Sequence, residues 1–214
     1  YARIDQRLET VRTRLAAAVE GIADADDRGL VSPLAAEIAR DLSRNNIDRL
    51  APFAQLADDA SLSADQKAAL ALTGWLLGAD AAQDDLAIAI AMGKLRAAVL
   101  AYLEQPLEHE RQAVLDEVRT LAGASIENLP ALVAHMKPPR HEDLFVVDPH
   151  GTWLLTAPGA TEDGDFRYRI QLPPEYDPYR RYPTLVVLNG AYNSVEQELD
   201  FWAGSRPPAG ADGL

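Results

Sequence analysis

The sequence predicts a chain that is α+β overall, helical through about residue 137 and β-rich beyond. Two observations carry that prediction. Apolar residues recur at steps of three and four as far as Met136, and strand-like patterns replace them after Lys137-Pro138-Pro139-Arg140. Composition makes a folded chain the default, since 48% of the 214 residues are hydrophobic and 25% charged.

Ile4, Leu8, Val11, Leu15 and Val19 predict a first amphipathic helix from Arg3 to about Gly21. Ser32 followed by Pro33 reads as a cap with proline in the first turn, so a second helix is expected to begin there. A third covers Ile47 to Leu56. Ser63-Ala64-Asp65-Gln66 is a capping box opening a helix that carries Leu70, Leu72, Trp75, Leu76 and Leu77 and ends at Gly78. After an acidic turn, Ile88, Met92, Leu95, Val99 and Leu103 mark the inner face of a long helix, widened by Leu86 and Ile90. That helix is expected to be central and to stop at Pro106. Val114, Leu115, Val118 and Leu121 give a further helix closing at Gly123, and a last one runs from Asn128 to about Met136. Short links favour antiparallel neighbours, so residues 1–137 read as an all-α helical bundle or a stack of helical hairpins. Trp75-Leu76-Leu77-Gly78 has no copy about 34 residues away, which argues against a solenoid repeat.

Residues 138–143, with two prolines and a charge cluster, read as a linker to a second domain over 144–214. Leu144 to Val147 and Thr152 to Thr156 are expected strands around a turn at Asp148-Pro149-His150-Gly151. Phe166 to Leu172 alternates large apolar with polar residues, the pattern of a strand with one wet face. Thr184 to Leu188 is a continuous aliphatic run, as in a parallel strand covered on both sides. Ligands of open α/β sheets bind at the carboxyl ends of such strands, which singles out Asn189, Gly190, Ala191 and Tyr192. Gly190 permits a sharp reversal there. Ser194-Val195-Glu196-Gln197 then forms a capping box for a helix through Phe201 and Trp202.

The order of strand, Leu172-Pro173-Pro174-Glu175-Tyr176, Arg181-Tyr182-Pro183, aliphatic strand and glycine turn resembles the opening of serine esterases and prolyl-oligopeptidase-like peptidases of the α/β-hydrolase superfamily. The helical part, ending in Ala134-His135-Met136-Lys137-Pro138-Pro139, is similar to the helical leader of bacterial hydrolase-like proteins, planctomycete ones in particular. The hydrolase resemblance covers residues 165–204, under a quarter of the chain. It implies that residues 144–214 are the first strands of a truncated α/β-hydrolase-like sheet, acting on an ester or peptide substrate without a cofactor. It also implies that the backbone N–H of Ala191 is an oxyanion-hole donor, with Asn189, Gly190 and Tyr192 as the supporting turn. Asn189 departs from the family's usual histidine. The nucleophile, acid and catalytic histidine are expected beyond Leu214, leaving these residues inactive by themselves. The rival expectation, for which Asn189 in place of histidine is the local hint, is a non-catalytic interaction module built on the helical bundle with a degenerate hydrolase-like domain, its partner unknown.

Several patterns are weighed and set aside. Gly123-Ala124-Ser125-Ile126-Glu127 nearly spells a nucleophile elbow, with Asp143 and His150 following, but helical periodicity rather than a strand precedes it; Ser125 is expected to cap a helix. His141-Glu142 lacks a second histidine four residues on, where Phe145 stands, and Glu108-His109-Glu110 suits a helix start. Gly159 has no phosphate-binding context. No metal site is expected. His135 reads as a terminal charge or domain-contact residue, Trp75 as core, and Phe201 and Trp202 as a possible pocket or as side chains split between core and interface. The 33 acidic against 20 basic residues argue against nucleic acid. The absence of cysteine excludes a thiol nucleophile, thiolate sites and disulfides in these residues. The longest apolar stretch noted, Ala68 to Ala79, falls short of the ~20 residues that span a bilayer, so no membrane span is expected; the compartment stays open.

Overall fold

The computed structural model describes residues 2–105, 107–121, 123–137, 145–148, 152–157, 166–173, 176–188 and 190–203. It divides into two compact units, Tyr1–Pro139 with Pro178–Arg180, and Arg140–Asp177 with Arg181–Leu214. Among its described residues the first has helices and no strand. Its helices are α1 (Ala2–Glu20), α2 (Ala25–Asp41), α3 (Ala51–Leu56), α4 (Ala64–Leu77), α5 (Leu86–Glu104), α6 (Glu108–Val118) and α7 (Asn128–His135), with short 3-10 turns at Ile47–Leu50 and Ala79–Ala81.

The centre of the bundle is α4, not α5 as expected. Every residue from Ala68 to Leu77 is buried, and α1, α2, α3, α5 and α7 all pack on this helix. A helix apolar all round belongs inside a core, whereas α5 buries only a stripe of Leu86, Ala89, Met92, Leu95 and Val99. Among the described helices α5 is also the one long and apolar enough to cross a membrane; here it packs against α2, α4 and α6.

Local chemistry fixes the helix ends. The Ser63 hydroxyl accepts from the Gln66 N–H at 3.2 Å while the Gln66 side chain accepts from the Ser63 N–H at 3.0 Å, completing the expected capping box. Gly78 ends α4 with φ +95°, a conformation that disfavours any residue with a Cβ. The expected start of α2 at Ser32-Pro33 is corrected: Asp24 caps the helix by accepting from the N–H groups of Asp26 and Asp27, and Pro33 lies inside it. The Asp24 cap outcompetes the later signal, and Ser32 instead donates to the Arg28 carbonyl. Ser125 accepts from the Asn128 N–H at 3.1 Å at the head of α7, a helix-terminal role.

Among its described residues the second unit contains three antiparallel strands in the order β1 (Phe145–Asp148), β2 (Thr152–Ala157) and β3 (Phe166–Gln171), followed by α8 (Val195–Ala203). Pairing Trp153 with Ile170 and Leu155 with Tyr168 puts these side chains on one face together with Phe166, with Arg167, Arg169 and Gln171 of β3 on the other. The apolar side chains of β3 are exposed on that first face. Thr184 to Leu188, expected as a doubly covered parallel strand, is assigned to no strand, and its apolar residues lie exposed, Val186 at 79% and Leu188 at 91%. A parallel strand exists only by pairing, and none of the described strands pairs with this run. The structure therefore bears out a mixed α+β chain with a small antiparallel sheet.

Candidate functional site

The turn at Gly190 to Ser194 is followed by the helix the sequence predicts. Ser194 and Gln197 form the second capping box, with Ser194 Oγ accepting from the Gln197 N–H at 3.2 Å and Gln197 Oε1 accepting from the Ser194 N–H at 2.9 Å. Arg169 on the polar face of β3 reaches Glu196 in the first turn of α8 at 2.7 Å. The Glu196 carboxyl titrates below its usual range, held there by its own backbone N–H, by the Ser194 hydroxyl and by Arg169.

Gly190, Ala191 and Tyr192 are solvent-exposed, and a Cβ at Gly190 would meet nothing within 4 Å. Gly190 does not take a positive φ, so neither conformation nor crowding requires glycine there. Asn189, His141, Glu142, Asp143, His150 and Gly159 lie outside the described residues. Phe201 and Trp202 stack edge to face at 5.2 Å and are both exposed. Phe201 borders an open hollow of about 370 Å³ with Asn193, Gln197 and Glu198, while Trp202 does not. No cluster of three or more His, Asp or Glu suited to a metal occurs among the described residues.

A second constellation, within the helical unit, went unpredicted. Tyr179, from the tripeptide Pro178–Arg180, stacks edge to face on buried Trp75 of α4 with ring centroids 5.3 Å apart. Its phenol donates to Asp41 Oδ2, at the end of α2, at 3.0 Å, and the Lys137 ammonium donates to the same oxygen at 2.7 Å. The Arg49 guanidinium lies 5.0 Å from the Tyr179 ring centre and 5.4 Å from that of Trp75, and Lys137 Nζ sits 5.0 Å from the Tyr179 ring. Four parts of the bundle thus converge on one phenol.

Burial of Asp41 opposes its ionisation, but hydrogen bonds from Lys137, Tyr179 and Arg40 and the charge of Lys137 outweigh it, and its carboxyl titrates below the usual value. Burial foremost, then the bond to Asp41 and the charges of Asp41 and Glu37, push the Tyr179 phenol well above its ordinary range, against the opposing pull of Arg49. A depressed folded-state value means that Asp41 stabilises the fold fully above its unfolded value of about 4 and loses that contribution as pH falls through the lower folded value. The melting temperature is therefore expected to fall more steeply below about pH 4 in the unmodified chain than in Asp41→Asn. Parallel slopes in thermal scans across that range would remove Asp41 as a source of acid sensitivity.

The same unit carries an apolar groove of about 300 Å³ between α2 and α5, bordered by Leu30, Val31, Leu34, Ala89 and Ile90. Glu37 and Arg96 at its edge form a bidentate pair at 3.0 and 2.6 Å. In the sequence Tyr179 belongs to the proline-rich connection that leads to Pro183. The signal available was a tyrosine placed directly after Pro178 and before two arginines, but its partners Asp41, Arg49, Trp75 and Lys137 are scattered over 97 positions, the span from 41 to 137.

No protein-family model, curated protein or solved structure matches this chain.

Proposed function

We propose that this chain provides the opening strands and one oxyanion-hole donor, the Ala191 N–H, of a serine hydrolase that cleaves ester or peptide bonds. The observation that carries the reading is the exposed aliphatic run from Leu185 to Leu188, directly before the glycine turn. An uncovered run of this kind calls for cover, and neighbouring parallel strands with helices on both faces would supply it. The exposed apolar face of β3 calls for cover in the same way. In such a sheet the end of the run becomes the rim of the active crevice, where a main-chain N–H can meet a developing oxyanion.

Two experiments test this. The coding sequence past Leu214 is expected to encode a strand, Gly-x-Ser-x-Gly, and then an acid and a histidine, and its full product is expected to react with a fluorophosphonate. In that product Ala191→Pro, which lacks the N–H, is expected to reduce turnover by about 10²-fold or more. No elbow serine would discard the hydrolase, whereas an unchanged rate in a folded Ala191→Pro protein would discard only the donor. The second reading, a non-catalytic interaction module, is favoured by the groove between α2 and α5; changes on that groove that abolish a partner's binding while hydrolysis persists would assign the two roles separately.

A further inference from the structure

We propose that Asp41, Arg49, Trp75 and Lys137 form a binding site for a tyrosine presented by a peptide segment, and that the chain fills it in cis with Pro178–Arg180. This is independent of the hydrolase reading.

Three features distinguish the arrangement from ordinary core packing. The occupant is a three-residue insertion into the helical unit, while the residues on either side of it belong to the other unit. Besides packing against the core, it makes contacts of recognition, among them an aromatic edge-to-face stack, two cations close to the ring and a charge-assisted hydrogen bond from the phenol. Finally, the receiving groups are held in place by bonds that do not involve the tyrosine. Arg49 Nη1 donates to the His135 carbonyl at 2.8 Å, Asp41 is held by Lys137 at 2.7 Å and by Arg40 at 3.3 Å, and Trp75 is locked in the buried helix α4. A site organised by its own scaffold loses little freedom on binding, which raises its affinity for an incoming ligand.

The chemistry defines the ligand. The ring packs against Trp75 with the two cations close to it, and the phenol O–H meets a carboxylate that has no proton to give at neutral pH. Tyrosine satisfies both, whereas phenylalanine leaves the Asp41 oxygen without that donor. Losing a hydrogen bond to a charged group corresponds to on the order of tenfold in affinity. The covalent connection keeps the native segment at an effective concentration on the order of millimolar, so a free peptide competes poorly with it.

The test uses the full chain carrying Tyr179→Ala and a fluorescently labelled peptide corresponding to residues 177–182, Asp-Pro-Tyr-Arg-Arg-Tyr. Fluorescence anisotropy is expected to show saturable binding to the variant and at least tenfold weaker binding to the unmodified chain. The same peptide with phenylalanine at the position of Tyr179 is expected to bind about tenfold more weakly to the variant. Equal binding to both proteins, or none to folded Tyr179→Ala at a few millimolar peptide, overturns the proposal. If Tyr179→Ala does not fold, Tyr179→Phe takes its place. Its weaker cis segment should then yield to the tyrosine peptide more readily than the native one, and equal resistance overturns the proposal as well.

Discussion

Trp75→Ala is expected to lower the free energy of unfolding by about 3–5 kcal/mol, the largest effect of any single truncation in the helical unit. The indole is almost fully buried in the middle of α4, the one helix on which five others pack. Truncation removes its apolar area from the core and leaves a cavity in a helix surrounded on all sides, where neighbours have little room to collapse. It also removes the ring against which Tyr179 packs and one of the two rings facing Arg49. Chemical denaturation of the variant measures the loss. A double-mutant cycle with Tyr179→Ala separates the aromatic pair, for which a coupling of about 0.5–1.5 kcal/mol is expected. A total loss below about 1 kcal/mol would mean that Trp75 is not at the centre of a close-packed core.

Gly74→Ala is expected to destabilise by about 3 kcal/mol, although the same exchange inside a helix ordinarily stabilises by about 0.5–1 kcal/mol. The reversal comes from one contact. A Cβ at Gly74 would lie 2.5 Å from the Arg49 carbonyl oxygen, closer than real Cβ atoms come, and the atom in the way is backbone that cannot rotate aside. The glycine therefore lets the 3-10 turn Ile47–Leu50 approach α4, and it is that approach that brings Arg49 beside Trp75. Gly29→Ala, in α2 with nothing within 4 Å of its Cβ, is the internal control and is expected to gain about 0.5–1 kcal/mol. Denaturation of the two variants side by side should give opposite signs. If both stabilise, the close approach of Arg49 to α4 is wrong.

The sequence by itself determined the elements whose cause is local. The capping boxes at Ser63 and Ser194, the glycine that ends α4, the apolar spacing of α1 from Leu8 to Val19 and of α5 from Leu86 to Val99 depend on residues within one or two turns of each other, whereas Ile4, Leu103 and the apolar residues of β3, expected on covered faces, are exposed. Where two local signals competed, Asp24 rather than Ser32-Pro33 starts α2: its carboxylate accepts two free N–H groups, and burial of Val31, Ala35 and Ile38 on either side of Pro33 offsets the bond the proline removes and its crowding of the preceding turn.

Tertiary structure alone decided which helix is central, since the described helices of the bundle include several strongly apolar ones, α4 and α5 among them, and only packing shows that the first is enclosed by its neighbours. It also decided what becomes of Thr184 to Leu188, whose composition suits a covered strand but whose pairing must come from elsewhere in the fold. The Tyr179 cluster is the clearest case. No spacing rule links a tyrosine in a proline-rich segment to an aspartate 138 positions earlier, the difference between 179 and 41, because side-chain recognition acts through space while sequence periodicity reports only neighbours along the chain.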